Sequence, residues 1–209
     1  MIQVNNLSFS YTKKPFISDM SFSVSAGEIF GFLGPSGAGK STLQKVLIGM
    51  LTTYQGSAVV NGTQCRERTK DFYEEIGVDF EFSTMYEKLT ARENLQFFSS
   101  LYEKKPRPID TLLEMVGLQH DADKRVSEYS KGMKARLNFI KALLHDPLLL
   151  CLDEPTSGLV RLLDSDETLC FSVPASDRFP VRIVRRQRPV GKLGWKNTVS
   201  GKCTGDSNI

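Results

Sequence analysis

"EIFGFLGPSGAGKSTLQKVL", residues 28–47, is the stretch that decides the fold of this chain of 209 residues. The apolar run Glu28–Leu33 predicts a buried strand, and Leu43, Val46 and Leu47 recur at helical spacing beyond a glycine-rich loop. Where a strand leads through such a loop into a helix, the backbone N–H groups of the loop and the positive end of the helix dipole point toward the same position, which favours an anion. The stretch therefore predicts a phosphate-binding site in an α/β domain.

The loop itself, "GPSGAGKS" at residues 34–41, matches the spacing G-x-x-x-x-G-K-[S/T] of phosphate-binding loops. Glycines allow the tight backbone curl, Lys40 is expected to reach the β- and γ-phosphates of a nucleotide, and the Ser41 hydroxyl to bind Mg²⁺. A glycine-rich turn with a surface lysine is the alternative, which the strand before the loop and the helix after it disfavour. The candidate nucleotide-binding residues here are Gly34, Pro35, Ser36, Gly37, Ala38, Gly39, Lys40, Ser41 and Thr42.

Strand and helix patterns follow one another along the rest of the chain. Apolar residues roughly alternate over residues 2–11 and 17–24, which predicts antiparallel strands near the N-terminus. A short strand at residues 56–60 is ended by Asn61-Gly62. Helices are predicted at Thr90–Leu101, begun by a capping box of Thr90 and Glu93, at Pro108–Leu118, closed at Gly117, and at Ser130–Leu144. Buried strands are predicted at Ile76–Phe80 and Leu148–Leu152. This order predicts an α/β fold with a helical lobe inserted at about residues 82–145.

An acidic pair follows the last of these strands. Asp153 and Glu154 come directly after the apolar run "LLLCL", and a carboxylate at the end of a buried parallel strand suits a site at the sheet edge. Asp153 is predicted to hold Mg²⁺, and Glu154 to orient and deprotonate the attacking water. A helix N-cap is the alternative for an acid pair alone, and the phosphate loop in the same chain favours the catalytic interpretation.

Composition narrows the function classes. No apolar run approaches the roughly 20 residues that span a bilayer, and the N-terminus carries no secretory pattern, so a cytoplasmic location is expected. The four cysteines form no C-x-x-C pair and predict neither a disulfide framework nor a zinc site. Residues 1–159 carry a net charge of −1 and residues 160–209 of +4. Those basic residues fall on no helical face, so we expect no nucleic-acid partner.

The stretch between the two motifs supports a family resemblance. "EYSKGMKARLNFIKALLHDPLLLCLDEPTSGL", residues 128–159, resembles the signature-to-acid stretch of ATP-binding cassette (ABC) ATPases, with Tyr129–Met133 in place of the usual L-S-G-G-Q. The Y-S-K-G-M form looks like a variant of bacterial export-type cassettes. The resemblance covers residues 1–159 and implies a P-loop NTPase fold with a mainly parallel core sheet, an N-terminal antiparallel β subdomain and an inserted helical subdomain.

The resemblance also implies roles for particular residues. Tyr11 lies where an aromatic ring stacks on the adenine of ATP, although an aromatic on a strand is more often core. Ser130 and Gly132 would bind the γ-phosphate of ATP held by the opposite protomer. Glu81 stands where the family has a glutamine that serves Mg²⁺ and the attacking water, and it would contact either the metal or a permease.

The implied function is that of an ATP-hydrolysing subunit on the inner face of the cell membrane. It would act with a separate membrane permease, for export, and with a second ATP-binding subunit. Phe82, Met85 and Tyr86 lie where the helical lobe would meet that permease, with core packing as the other interpretation. Two alternatives are a soluble ABC-type switch protein without a permease and a small P-loop kinase or GTPase.

The pattern breaks at residue 160. Val160 stands where the family has an aspartate, and no histidine follows the acid pair, although the family has a strand there that ends in one. Without that strand, two buried sheet edges would lack a partner. We expect residues 160–209 to be a non-family tail, disordered or poorly packed, from a reading-frame change or a divergent C-terminus. Weak nucleotide binding and little turnover would follow.

Overall fold

The computed structural model describes residues 1–33, 37–80 and 84–153, together with the backbone of short strands at 168–172, 196–197 and 201–202. The side chains of Ile29 and Leu33 are not described either. The chain divides into two compact units, Met1–Thr69 with Thr168–Ile209, and Lys70–Glu167. Across the described ranges, none of the helices combines the length and the apolar character that crossing a membrane requires.

In its described residues, the first unit has one α-helix and strands that belong to two sheets. Its elements are β1 (Ile2–Phe9), β2 (Ile17–Val24), β3 (Glu28–Leu33), α1 (Lys40–Leu47), β4 (Gln55–Val60) and β5 (Thr63–Gln64), then a 3₁₀ turn (Cys65–Glu67). β1, β2, β4 and β5 form one antiparallel sheet in the order β2-β1-β4-β5. This confirms the predicted N-terminal antiparallel strands.

A β-bulge explains why the apolar alternation of β1 is imperfect. Ile2 and Val4 are buried, and so are Leu7 and Phe9, but the step between the two pairs is three residues. The register against β2 shifts between Val4 and Leu7, and Asn6 between them has φ 49°. The extra residue returns the apolar side chains to the same face, so the strand keeps one buried side.

β4 ends at Asn61-Gly62, as predicted, and forms a tight hairpin with β5. Asn61 and Gly62 connect them with φ 51° and 84°, the left-handed pair that suits a two-residue hairpin turn. Val60 faces Thr63 across this turn, and the main chain of Asn61 donates to the carbonyl oxygen of Met1 at 2.8 Å. The hairpin is thereby fastened to the start of β1.

β3 lies in a second sheet with strands from the C-terminal region. β8 (Thr168–Ser172) pairs antiparallel with it, as do β9 (Lys196–Asn197) and β10 (Gly201–Lys202). The expectation that β3 would have an edge without a partner is therefore wrong for this structure, because β8 aligns with it from Ile29 to Phe32. β8 is formed by the run "TLCFS", which lies beyond residue 159.

The second unit combines a parallel strand pair with helices. Its elements are α2 (Lys70–Glu74), β6 (Ile76–Asp79), α3 (Ala91–Ser99), α4 (Ile109–Met115), α5 (Lys131–Lys141) and β7 (Leu149–Leu152), with 3₁₀ turns at Gln119–Asp121 and Val126–Glu128. β6 and β7 are parallel, in register from Ile76 with Leu149 to Asp79 with Leu152. All four residues of β7 are buried, as expected for a strand covered on both faces.

A capping box begins α3. The Thr90 side chain accepts from the main chain of Glu93 at 3.1 Å, and the Glu93 carboxylate accepts from the main chain of Thr90 at 2.8 Å. This reciprocal capping box confirms the predicted start of α3. Gly117, with φ 66°, ends the segment after α4, also as predicted.

Candidate nucleotide-binding site

The phosphate loop of the first unit ends in two left-handed glycines. Gly37 has φ 80° and Gly39 has φ 93°, a conformation that a side chain would strain. Gly39 is the N-cap of α1, so Lys40 and Ser41 occupy its first turn, where unpaired N–H groups and the helix dipole favour an anion. Gly34, Pro35 and Ser36 lie outside the described residues, and their predicted roles stay predictions.

Lys40 and Thr42 are both buried within the first unit, each with 7 % of its surface exposed. Burial of a lysine ammonium is favourable only where negative charge or acceptors surround it. A helix start with a buried cation and a serine hydroxyl is suited to a nucleotide phosphate with Mg²⁺, because the hard oxygen donor matches that ion. The residues present therefore fit ATP and Mg²⁺ on this side of the site.

Tyr11 lies in the same unit, just after β1, and is 57 % exposed. Its hydroxyl hydrogen-bonds the Thr42 hydroxyl at 3.0 Å. Phe9 packs edge-on against the ring, with centroids 4.8 Å apart, and so does Phe16, at 5.5 Å. The structure therefore places Tyr11 beside α1 as an exposed ring and not in the core, which is the position an adenine-stacking residue needs.

Asp153 lies at the end of β7 in the second unit, and 8 % of its surface is exposed. Its main-chain N–H donates to the carbonyl oxygen of Asp79 at 3.0 Å, so the parallel pairing with β6 extends one residue beyond β7. This agrees with the prediction of an acid at a buried strand end. Glu154 and Glu81 lie outside the described residues, and their predicted roles stay predictions.

A buried polar cluster that the sequence analysis missed lies beside Asp153. Asp79 at the end of β6 is 6 % exposed, and burial raises the pKa of its carboxyl to about 7. The charge of Lys141 and a hydrogen bond from Asn138 act in the opposite direction, and the charge of Asp153 adds to the rise. The signal in the sequence was Asp79 within the otherwise apolar strand "IGVDF", because an acid in a buried strand is itself expected to be buried.

α5 contacts the chain at Phe80 and again at Thr84. The Asn138 amide donates to the Asp79 carboxylate and, at 3.2 Å, to the carbonyl oxygen of Phe80. Lys141 Nζ donates to the Thr84 hydroxyl at 2.6 Å, and burial lowers its pKa. One helix therefore fixes both residues, which lie four positions apart.

The variant signature forms the start of α5. Ser130 is its N-cap, and the hydroxyl oxygen accepts from the main chain of Met133 at 3.3 Å. A Cβ added at Gly132 would meet nothing within 4 Å, so the backbone there is open to an approaching group. Tyr129, buried just before the cap, donates its hydroxyl to the carbonyl oxygen of Asp121 at 2.7 Å, and burial raises its pKa to about 12. The helix start is thus held in place by Tyr129, and its backbone at Gly132 is accessible.

Phe82, Met85 and Tyr86 were expected either to meet a permease or to pack in the core, and the structure distinguishes these interpretations for two of them. Met85 is 8 % exposed and belongs to the core of the second unit, whereas Tyr86 is 51 % exposed. Tyr86 packs with Phe97 and Phe98, at centroid distances of 5.2 and 6.0 Å, in a cluster open to solvent. Phe82 lies outside the described residues.

Comparison with known proteins decides the family. Residues 17–157 match the model of the family described as "ABC transporter", which is more than half of the chain. The chain belongs to the ABC transporter family. The sequence-based recognition is therefore confirmed, and with it the α/β P-loop fold.

Curated ABC relatives share this region at high identity. The chain is 52 % identical over 161 residues to the fluoroquinolones export ATP-binding protein of Mycobacterium tuberculosis. The aligned region covers 76 % of this chain and 54 % of that protein. The chain is 44 % identical over 162 residues to the Nod factor export ATP-binding protein I of Rhizobium meliloti, over 76 % and 48 %. The chain thus spans about half the length of the curated relatives it matches.

Solved ABC structures agree on the fold. An ATP-binding subunit of an ABC transporter superposes with a TM-score of 0.63 at 26 % identity, covering 75 % of this chain and 67 % of that one. A dimeric ATP-binding cassette in a post-hydrolysis state, bound to ADP and Pi, gives a TM-score of 0.64 at 21 % identity over 76 % of each chain, a likeness of fold alone.

Proposed function

We propose that this chain is the ATP-binding and ATP-hydrolysing subunit of an ABC exporter. The observation that carries the proposal is the start of α1, where Gly39 in the left-handed conformation leads directly into the buried Lys40. A lysine ammonium at the start of a helix attracts phosphate oxygens, and the N–H groups and dipole of the first helical turn add to that attraction. Because the chain belongs to the ABC transporter family, we take the bound nucleotide to be ATP.

Each residue of the site has a proposed task. Lys40 and the α1 N-terminus bind the β- and γ-phosphates, and Tyr11 stacks on the adenine. Mg²⁺, when bound, neutralises phosphate charge, and Ser41, Asp153 and Glu81 are the residues that would hold it. Glu154 orients the attacking water and accepts its proton.

The proposed partners are a membrane permease and a second ATP-binding subunit. Ser130 and Gly132 would receive the γ-phosphate of the nucleotide held by that second subunit, and the accessible start of α5 supports this role. The exposed cluster of Tyr86, Phe97 and Phe98 offers an apolar surface to the permease. We place the protein peripherally on the cytoplasmic face of the membrane, and its export role rests on the relatives named as export proteins.

Residues 160–209 we propose to be a non-family tail that arose from a reading-frame change, which leaves this chain weakly active. Two observations support this: the family match ends at residue 157, and the net charge rises to +4 beyond residue 159. The gene decides the matter. If no other frame downstream of codon 159 encodes an aspartate followed, about 30 residues later, by a strand ending in histidine, the frameshift is excluded.

Binding of Mg-ATP to the purified chain, measured by titration calorimetry, tests the nucleotide site. Lys40→Ala should weaken binding at least tenfold, because each charge-assisted hydrogen bond to phosphate is worth about 1.5–3 kcal/mol. Lys45→Ala, in the same helix, is the matched control and should bind like the wild type. Equal affinity of the wild type and Lys40→Ala would contradict the proposed site.

A turnover assay tests the catalytic part. We expect little hydrolysis by this chain, and the Glu154→Gln variant should remove what remains while leaving ATP binding intact. Robust hydrolysis by the wild type that depends on Glu154 would refute the proposed weak activity. Hydrolysis that survives Glu154→Gln would remove Glu154 from its proposed role.

A further inference from the structure

Three contacts restrain the Tyr11 side chain within the first unit. Phe9 meets it edge-on at 89°, and Phe16 does so at 66°. The third contact is the hydrogen bond between the Tyr11 and Thr42 hydroxyls, at 3.0 Å. Phe9 and Phe16 are themselves joined through the backbone, since the N–H of Phe16 donates to the carbonyl oxygen of Phe9 at 2.9 Å. The ring is therefore held in one orientation although more than half of the residue is exposed.

The Thr42 hydroxyl joins this ring to the phosphate-loop helix. Thr42 follows Ser41 directly in α1 and is 7 % exposed, so its side chain has little freedom to move. Tyr11 and Thr42 are 31 positions apart in the sequence. Their hydrogen bond therefore fixes the distance between the ring that would meet a base and the helix start that would meet the phosphates.

Stacking on a base requires only the π-face of the ring and makes no use of the phenol hydroxyl. A tyrosine that only stacked would be replaceable by phenylalanine without loss. Here the hydroxyl is committed to Thr42, within the protein. An exposed ring without such an anchor samples several rotamers, and a ligand must then offset the cost of ordering it.

We propose that Thr42 is a positioning residue for the adenine platform: through the phenol of Tyr11, it holds the ring ready for the base at a set distance from the phosphate loop. This inference rests on the proposed function, because it takes ATP as the ligand. It assigns to the Thr42 side chain a role toward the base, separate from any contact with phosphate.

A double-mutant cycle with two ligands tests the proposal. The variants are Tyr11→Phe, which removes the hydroxyl and keeps the ring, Thr42→Val, which removes the other hydroxyl at nearly constant shape, and the double variant. Thr53→Val, an exposed threonine in the same unit, is the control for the substitution itself. Affinities for Mg-ATP and for tripolyphosphate, which carries no base, are measured by titration calorimetry, and thermal unfolding verifies that each variant folds.

Each single variant should bind ATP about fivefold more weakly, since a neutral hydrogen bond contributes about 1 kcal/mol. The double variant should show the same loss of about fivefold, not the roughly 25-fold loss of two independent effects. Tripolyphosphate affinity should be unchanged in all of them, because the platform acts only on the base.

Three results would overturn the proposal: unchanged ATP affinity in Tyr11→Phe, independent losses that multiply in the double variant, or an equal loss for ATP and tripolyphosphate in Thr42→Val. The last would mean that Thr42 acts on phosphate. If the wild type binds neither ligand, the proposed function fails. The tether, meaning the hydrogen bond between the Tyr11 and Thr42 hydroxyls, is then tested by carbon NMR of the Tyr11 ring, whose signal is assigned as the peak missing in Tyr11→Phe. A Tyr11 Cζ shift that changes in Thr42→Val supports the tether, and one that does not change excludes it.

Discussion

Glu74 provides a sharp test of how the second unit is held together. It is the last residue of α2, just before β6, and it is 7 % exposed. Its carboxylate accepts from the main chain of Glu103 at 2.8 Å and of Lys104 at 3.3 Å, and Lys104 Nζ donates back to the carbonyl oxygen of Glu74 at 2.9 Å. One buried side chain thus anchors the loop between α3 and α4 to the end of α2, which leads into β6.

The pKa of Glu74 shows which charge state this anchor favours. Burial acts to raise the pKa, but the two backbone hydrogen bonds, together with the charges of His145 and Lys104, outweigh it and bring the pKa below its ordinary value. The folded state therefore favours the ionised carboxylate. The stability it provides is present above the unfolded pKa and is lost as the pH falls through the lower, folded pKa.

The size of the effect follows from the two hydrogen bonds. A bond to a charged acceptor contributes about 1.5–3 kcal/mol, and the longer one at 3.3 Å contributes less. Glu103 and Lys104 are exposed, so water replaces part of the loss. We expect Glu74→Ala to lower the free energy of unfolding by about 3 kcal/mol, a large part of the 5–15 kcal/mol typical of a domain. Glu74→Gln keeps the shape and one acceptor and should cost about 1–2 kcal/mol.

Urea unfolding followed by circular dichroism at pH 7 measures these losses. Glu114→Ala removes an exposed carboxylate from α4 in the same unit and should change the unfolding free energy by less than about 0.5 kcal/mol. The difference between the wild type and Glu74→Gln should narrow below about pH 4, near the ordinary glutamate pKa. A loss in Glu74→Ala no greater than that of the Glu114→Ala control would refute the anchoring role.

Two further predictions concern the same unit. His145 is fully buried and stacked on Tyr102 with ring centroids 3.8 Å apart, and burial lowers its pKa, so the free energy of unfolding should fall as the pH drops below about 6.5. In urea unfolding between pH 8 and 5, His145→Gln should remove this pH dependence, whereas His120→Gln, at an exposed site, should retain it. Thr90→Ala should lower the free energy of unfolding by about 1 kcal/mol in thermal unfolding, because α3 loses its cap. An equal loss in Thr111→Ala, at an exposed site, would show that the cap is not the cause.

Much of the fold was predictable because its signals are local. The capping box at Thr90 and the strand end at Asn61-Gly62 each depend on residues within four positions, and the structure confirms both. The helix after the phosphate loop is confirmed for the same reason, with Lys40 as its first residue. The bulge at Asn6 was not predicted, since its position depends on pairing with β2 and β4.

The candidate site was predictable in its motifs and less so in its surroundings. Lys40 and Asp153 follow from short patterns, and both lie where those patterns place them, at a helix start and at a strand end. Asn138 and Lys141 carry no motif, and their contacts with Asp79 and Thr84 join positions more than 55 residues apart. Nothing local distinguishes such residues from an ordinary polar helix face.

The sequence by itself determined the family, the phosphate loop, the acid at the strand end and the order of strands and helices, because each depends on spacing along the chain. The tertiary structure alone decided that the Tyr11 hydroxyl meets Thr42 and that Asp79 is buried with a raised pKa. It also gave β3 an antiparallel partner from the C-terminal region. These features depend on which distant segments pack together and on how much water they exclude, and neither quantity is written in the spacing of residues.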